Sequence, residues 1–272
     1  MKSRYHVYGS ITRDALRGLF KHIKRRDDGV SHKEYESVWK SSDHRLQKFL
    51  YKPRPALYHG TPAVIRGLDL QKQAIYEMSD AISSFRPASV LELGAGNGAN
   101  LLALAALHPE ITTWTGIDIT ESGPDAANKL QKDPPMEELA YLTGLDPAEI
   151  SQRLARVVIE CLVGDMRALP FADGSFDFVF SHVAFEQLPR DHLTAFREAR
   201  RVCRKHACFI EEFREAQGSL FRRLHLRNVD YFRASYDVCV SAGFTLLRFT
   251  PMPLQNLKLG TGMAVCGVTR GV

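Results

Sequence analysis

From residue 88 onward, short runs rich in Val, Ile and Phe alternate with stretches whose apolar residues recur every three to four positions. That rhythm predicts βαβ units and a mostly parallel sheet flanked by helices. The strand-length runs are residues 88–93, 112–119, 157–163, 176–183 and 207–213, and their near-continuous apolar character fits strands covered on both faces. Between them, Leu101, Leu104, Ala105 and His108 share one helical face, as do Leu193, Phe196, Ala199 and Cys203. Two further strand-like runs, 244–250 and 262–270, are expected to pair antiparallel across a proline-containing loop.

Before residue 88 the pattern is helical throughout. Its apolar faces are Leu16, Leu19, Phe20 and Ile23; Tyr35, Val38, Trp39, Leu46, Phe49 and Leu50; and Val64, Leu68, Ile75, Met78, Ile82 and Phe85. Pro53, Pro55, Gly60 and Pro62 interrupt the series, marking a joint between an N-terminal helical cap (1–62) and an α/β body (63–272). The stretch from Thr120 to Arg156 is long for a βα connection. It carries two helix-start signals, Asp133-Pro134 and Asp146-Pro147-Ala148-Glu149, which predict a helical insertion near 121–156.

Composition narrows the class. With 44% hydrophobic and 25% charged residues in 272, the chain has the means to bury a substantial core. No apolar run reaches the roughly 18–20 residues a membrane span needs, since the Leu101–Leu107 run is stopped by His108 and Pro109. The first ten residues lack a secretory pattern, so a cytoplasmic location is expected. Five cysteines, Cys161, Cys203, Cys208, Cys239 and Cys266, are scattered without a C-x-x-C pair, which predicts reduced thiols and no thiolate metal site. His22, His32, His44 and His59 lack metal-ligand spacing, and no G-x-S-x-G elbow points to a hydrolase. A net charge of +5 is compatible with an anionic small-molecule substrate and does not call for nucleic acid.

The chemistry concentrates where the run Val90-Leu91-Glu92-Leu93 passes through Gly94-Ala95-Gly96-Asn97-Gly98 into the Leu101 helix. Glycines at a strand-to-helix turn let a ligand approach the main chain closely. Asp118 ends the next strand, where a carboxylate can accept from both hydroxyls of a ribose, so the expected ligand is an adenosine derivative. Glu92, two residues before the first glycine, would repel a pyrophosphate and help hold an ammonium, which favours S-adenosylmethionine over NAD.

A third element follows, Gly164-Asp165-Met166-Arg167-Ala168-Leu169-Pro170-Phe171, with Asp173-Gly174-Ser175-Phe176-Asp177 leading to Ser181-His182-Val183-Ala184-Phe185-Glu186-Gln187-Leu188. With the glycine loop and Asp118, this closely resembles the class I S-adenosylmethionine-dependent methyltransferase family, in its small-molecule branch. The resemblance covers residue 88 to about residue 204 and implies a Rossmann-like, doubly wound α/β fold. The implied sheet is seven-stranded and mostly parallel, with an antiparallel C-terminal hairpin.

By position, the family pattern brings the backbone of Gly94, Ala95, Gly96 and Gly98 to the methionine and sugar portion, with Glu92 steering the amino-acid end. Asp118 would take the ribose hydroxyls, Ile119 the adenine face, and Asp165 the adenine amino group beside Met166. Ser181 and His182 would form the floor between cofactor and substrate, with His182 as the candidate catalytic base, while Asp177 would support its strand. Relatives often carry a histidine where this chain has Gln187, which puts in doubt any mechanism borrowed through that histidine.

The expected activity is methyl transfer to an oxygen or nitrogen of a small organic molecule. A peptide or other macromolecular acceptor, and a catalytically silent partner subunit, are the competing readings. Tyr35, Trp39, Tyr51 and Tyr58 together suit a cap over the cofactor mouth. The basic run Arg222-Arg223-Leu224-His225-Leu226-Arg227 is a candidate anion contact.

Overall fold

Residues 28–41 and 51–269 are described by the structure, a computed structural model. Helix α1 (Asp28–Ser41) precedes two short strands, β1 (Arg54–Tyr58) and β2 (Thr61–Ile65), and the long helix α2 (Gly67–Phe85). Next come β3 (Val90–Leu93), α3 (Ala99–Leu107) and β4 (Thr113–Asp118), then α4 (Ser122–Lys132), α5 (Met136–Thr143) and α6 (Pro147–Leu154). The chain continues through β5 (Val158–Val163), β6 (Phe176–His182), α7 (His192–Val202), β7 (Cys203–Glu211), α8 (Leu220–Val229) and α9 (Asp237–Ser241). It closes with β8 (Thr245–Pro251), β9 (Leu254–Asn256) and β10 (Gly262–Gly267). The helical faces read at Leu16–Ile23 and Leu46–Leu50, the termini of the chain, and His22 and His44 lie outside the described residues.

Seven strands form one sheet in the order β5-β4-β3-β6-β7-β10-β8. The pairs β3/β4, β4/β5, β3/β6 and β6/β7 are parallel, and β10 runs antiparallel to both β7 and β8. The expected doubly wound sheet is therefore present, with the last strand inserted between β7 and β8 rather than added at the edge. Strand order reverses at β3, whose neighbours are β4 on one side and β6 on the other. The crevice at the carboxyl ends of these three strands is where such sheets bind ligands.

Side-chain alternation assigns residues to faces. Val90, Phe178 and Phe180 join one buried cluster with Leu68, Ile75 and Leu101 of α2 and α3. Leu91, Leu93 and Val179 join a second cluster with Phe196 of α7, Phe209 and Phe232. By the same period of two, Glu92 and His182 fall on the α2/α3 face and Ser181 on the α7 face. Strand β5 departs from the expectation of coverage on both faces, because it is an edge strand with Val158 and Val163 exposed.

The segment expected to be an irregular joint is a β-hairpin. Tyr58 pairs with Thr61 across His59 (φ 47°) and Gly60 (φ 79°), a two-residue turn with both residues left-handed. Strand β9 adds to the other edge of β1, giving a second, three-stranded sheet, and the 62/63 division proposed above falls inside β2. Pro62 is tolerated because β2 is an edge, and Pro55 because β9 covers only residues 56–58 of β1.

The insertion follows one of its two signals, since Asp133 ends α4 and α5 starts only at Met136 without a side-chain cap. Asp146 caps α6 by accepting from the Ala148 amide at 2.8 Å, with Pro147 in the first turn, and Leu139, Leu142 and Ile150 bury the pair against α2 and α3. All five cysteines are free thiols. Among the described residues no helix is long and apolar enough to cross a membrane, and no cluster of His, Cys, Asp and Glu is placed to hold a metal ion.

Candidate active site

The loop after β3 is held open by its own backbone. The Gly94 and Ala95 amides both donate to the Ile117 carbonyl on β4, at 2.8 and 2.9 Å. Gly94 (φ 71°) and Gly96 (φ 51°) lie in the left-handed region, and neither has room for a side chain. A Cβ on Gly94 would press on Ala184 of the turn after β6, and one on Gly96 would run into the Trp39 ring of α1. A cavity of about 550 Å³ opens over this loop. Of the residues read from the sequence, Gly94, Ala95, Gly96, Asp118, Ile119, Asp165, Met166 and His182 line it, and Glu92, Gly98 and Ser181 do not.

Asp118 joins the ends of β3 and β4. Its Oδ2 accepts from the Gly96 amide at 2.9 Å, and its Oδ1 accepts from the Thr120 amide at 3.0 Å and the Thr120 hydroxyl at 2.6 Å. A carboxylate has about four acceptor sites, so three are used by the loop itself and one remains toward the cavity. Gripping two ribose hydroxyls therefore requires one of these donors to yield.

Glu92 lies behind the cavity wall. Its Oε1 accepts from Asn100 Nδ2 at 2.7 Å, and its buried Oε2 has no hydrogen-bond partner. Burial pushes this carboxyl up to about 8, and the nearby Asp118 charge adds to the rise. Asn100 and Gln71 stand in the wall instead, where Gln71 Nε2 donates to Asn100 Oδ1 at 3.1 Å. Asp165 is engaged by Arg167, whose Nε lies 3.0 and 2.9 Å from its two oxygens and whose Nη2 lies 2.6 Å from Oδ2. Burial works to raise this carboxyl, and the Arg167 bonds outweigh it and hold it below the usual range.

Ser181 is corrected from a floor residue to a buried support. It points to the α7 face and donates to Glu211 Oε1 at 2.6 Å. The same carboxylate accepts from the Ala184 and Phe185 amides at 3.2 and 3.1 Å. Between them sits Val183 with φ 53°, a left-handed conformation that a β-branched residue adopts only when its surroundings impose it. Glu211 thus fixes a strained turn on the cavity wall. Its signal in the sequence was a glutamate pair interrupting the apolar run 207–213.

His182 ends β6 on the cavity side. Enclosure pushes its imidazole down to about 4, so it is neutral at pH 7 and a weak base. Asp177 is structural as expected, accepting from the Ala88 amide at 2.9 Å and from Arg204 Nε at 2.7 Å.

Residues 91–210 match the family model of a methyltransferase domain, Methyltransf_11. Over these residues the chain is similar to a methyltransferase domain. Solved structures share the fold at low identity. One is an S-adenosylmethionine-dependent methyltransferase from Methanosarcina mazei, at 17% identity and TM-score 0.52, covering 67% of this chain and 93% of its own. The magnesium protoporphyrin IX methyltransferase of Synechocystis PCC 6803 with bound S-adenosylmethionine is 12% identical at TM-score 0.57, covering 92% and 100%. The geranyl diphosphate C-methyltransferase of Streptomyces coelicolor is 10% identical at TM-score 0.53, covering 88% and 98%. No curated protein matches the sequence.

The cavity fits S-adenosylmethionine on its own residues: a glycine cradle that a Cβ would fill, Asp118 at the end of β4, and an unsatisfied buried acceptor on Gln71 in the wall. Helix α1 roofs it. Glu36 accepts from the Glu121 and Ser122 amides at 3.1 and 3.3 Å, while Tyr35 donates to Glu186 beyond β6. Gln187, in place of the histidine of some relatives, donates to Glu186 Oε1 at 2.7 Å and to the Tyr35 hydroxyl at 3.3 Å. Tyr35 and Trp39 line the cavity, whereas Tyr51 and Tyr58 stand outside it. The basic run on α8 is likewise outside, and Arg222 is a buried clamp on β9 and the loop after it, donating to the Asn256 and Leu257 carbonyls at 2.6 and 3.2 Å.

Proposed function

We propose that this methyltransferase moves a methyl group to an oxygen or nitrogen of a small organic molecule. The observation that carries the reading is the roofed cavity. Helix α1, tied to the turn after β4 through Glu36 and to the turn after β6 through Tyr35, lies across a half-open cavity of about 550 Å³ that must hold cofactor and acceptor together, which suits a small acceptor. Val38, Leu70 and Leu188 give its wall an apolar body, and Arg54 lies where an anionic group on the acceptor would meet it. When bound, S-adenosylmethionine supplies a methyl on a sulfonium that leaves as a neutral thioether. The protein's contribution is then to hold the acceptor atom near that methyl and in line with it, and to exclude water.

His182 is the proposed acceptor-side residue. As a neutral imidazole it accepts a hydrogen bond from a hydroxyl or amine, and its low basicity shifts the weight of catalysis from proton removal to positioning. Asp118, Ile119, Asp165 and Met166 would receive the adenosine end and the Gly94–Gly96 backbone the methionine end. Helix α1 would act as a cap on the α/β body, and the enzyme would be cytoplasmic.

The test is transfer from methyl-labelled S-adenosylmethionine to pooled hydroxyl, amine and carboxylate metabolites, run beside a protein and RNA extract. Label in the small-molecule pool is expected. Label confined to macromolecules would overturn the acceptor class, and bound cofactor with no transfer to either pool would favour a silent subunit.

A further inference from the structure

Two side-chain amides stand in the cavity wall beside the glycine loop, and the Glu92 carboxyl, assigned to the amino-acid end by the family resemblance, lies one layer behind them. Asn100, in the first turn of α3, and Gln71, in the first turns of α2, both line the cavity beside Gly94–Gly96. Glu92 does not reach it. The three residues form an ordered chain: Asn100 Nδ2 donates to Glu92 Oε1 at 2.7 Å, and Gln71 Nε2 donates to Asn100 Oδ1 at 3.1 Å. Each bond turns the next amide. With its nitrogen committed to Glu92, Asn100 presents its carbonyl oxygen toward Gln71, and with its nitrogen committed to Asn100, Gln71 has its own carbonyl oxygen left over.

That oxygen, Gln71 Oε1, is buried and has no partner among the protein's atoms. Buried acceptors are satisfied in nearly all folded proteins, so an orphan on a cavity wall marks the place of a donor that arrives with a ligand. Asn100 Oδ1 has a second lone pair available beside it. Two carbonyl oxygens at one end of a cavity suit a group with several N–H donors. An ammonium has three.

We propose that Gln71 and Asn100 bind the ammonium of S-adenosylmethionine through their amide oxygens, and that Glu92 is a positioning residue acting through Asn100. Glu92 then needs only an oxygen that accepts from Asn100, and not a negative charge. Its burial fits that role, since a carboxyl kept away from water on an apolar face tends to hold its proton.

Calorimetric titration with two ligands separates this role from general damage. S-adenosylhomocysteine carries the amino-acid end, and 5′-methylthioadenosine lacks it while keeping the adenosine. Asn100→Ala and Gln71→Ala are expected to weaken S-adenosylhomocysteine about tenfold or more and leave methylthioadenosine within about threefold. Glu92→Leu should behave like Asn100→Ala, whereas Glu92→Gln, which keeps an oxygen for Asn100, should restore near-normal affinity.

Equal weakening of both ligands by the Asn100 and Gln71 variants, or unchanged binding of S-adenosylhomocysteine, would overturn the proposal. So would a Glu92→Gln variant as impaired as Glu92→Leu, because the charge itself would then be what the ammonium meets. Failure of the unmodified protein to bind either ligand would be a different result, removing the cofactor assignment and the ammonium site with it.

Discussion

The Gly96 amide donates to Asp118 Oδ2 at 2.9 Å, so the carboxylate proposed to meet the cofactor's sugar also braces the glycine loop. Stability and binding are therefore linked at one residue. Asp118→Ala should weaken S-adenosylhomocysteine by the loss of a charge-assisted bond, roughly 1.5–3 kcal/mol, and should also lower the unfolding temperature. Calorimetry and thermal unfolding check the two parts. An affinity loss with no change in unfolding temperature would show that the brace contributes nothing.

Glu211 is expected to matter more to shape than to chemistry. Glu211→Ala leaves the Ser181 hydroxyl and the Ala184 and Phe185 amides without their acceptor, each unsatisfied buried donor costing about 1–3 kcal/mol. The variant should be strongly destabilised and Glu211→Gln less so, as measured by denaturant unfolding. Near-native stability of the alanine variant would mean that another contact holds the Val183 turn.

The strands of the sheet and the inserted helices were legible because each rests on local pattern, in continuous apolar runs, helical spacing and the Asp146-Pro147 start, whereas the doubly wound arrangement came with the family resemblance. The β1/β2 hairpin was not. Its prolines read as breaks, and only the edge position of Pro62 and the short reach of β9 make them compatible with strands. At the site, Gly94, Gly96 and Asp118 were singled out by spacing and Asp165 by the family resemblance, and all four line the cavity. Ser181 and Glu92 were misplaced because alternation sends Ser181 to the α7 face and Glu92 behind Asn100, which a motif does not record.

Glu92 should also govern part of the pH dependence of stability. Burial pushes its carboxyl up to about 8 in the folded protein, so the folded state keeps a proton that the unfolded chain releases above its ordinary value near 4.3. Between those values stability falls as pH rises. Glu92→Gln carries no such proton, and its stability relative to the unmodified protein should improve between about pH 5 and pH 8, by on the order of a few kcal/mol. Thermal unfolding across that range checks it, and a pH-independent difference would contradict it.

For His182, turnover on a hydroxyl acceptor should stay flat between about pH 6 and pH 8, because the imidazole is pushed down to about 4 and remains neutral throughout. His182→Ala should lower turnover with little effect on cofactor affinity. A rate falling through about pH 6.5, the ordinary histidine value, and lost in the variant would mark a solvated, basic His182 instead.

Titrating the whole chain with S-adenosylhomocysteine and, separately, with NAD in a calorimeter decides whether this cavity is built for S-adenosylmethionine. Saturable one-site binding of S-adenosylhomocysteine is expected, with none of NAD. Tight NAD binding with no response to S-adenosylhomocysteine would contradict it.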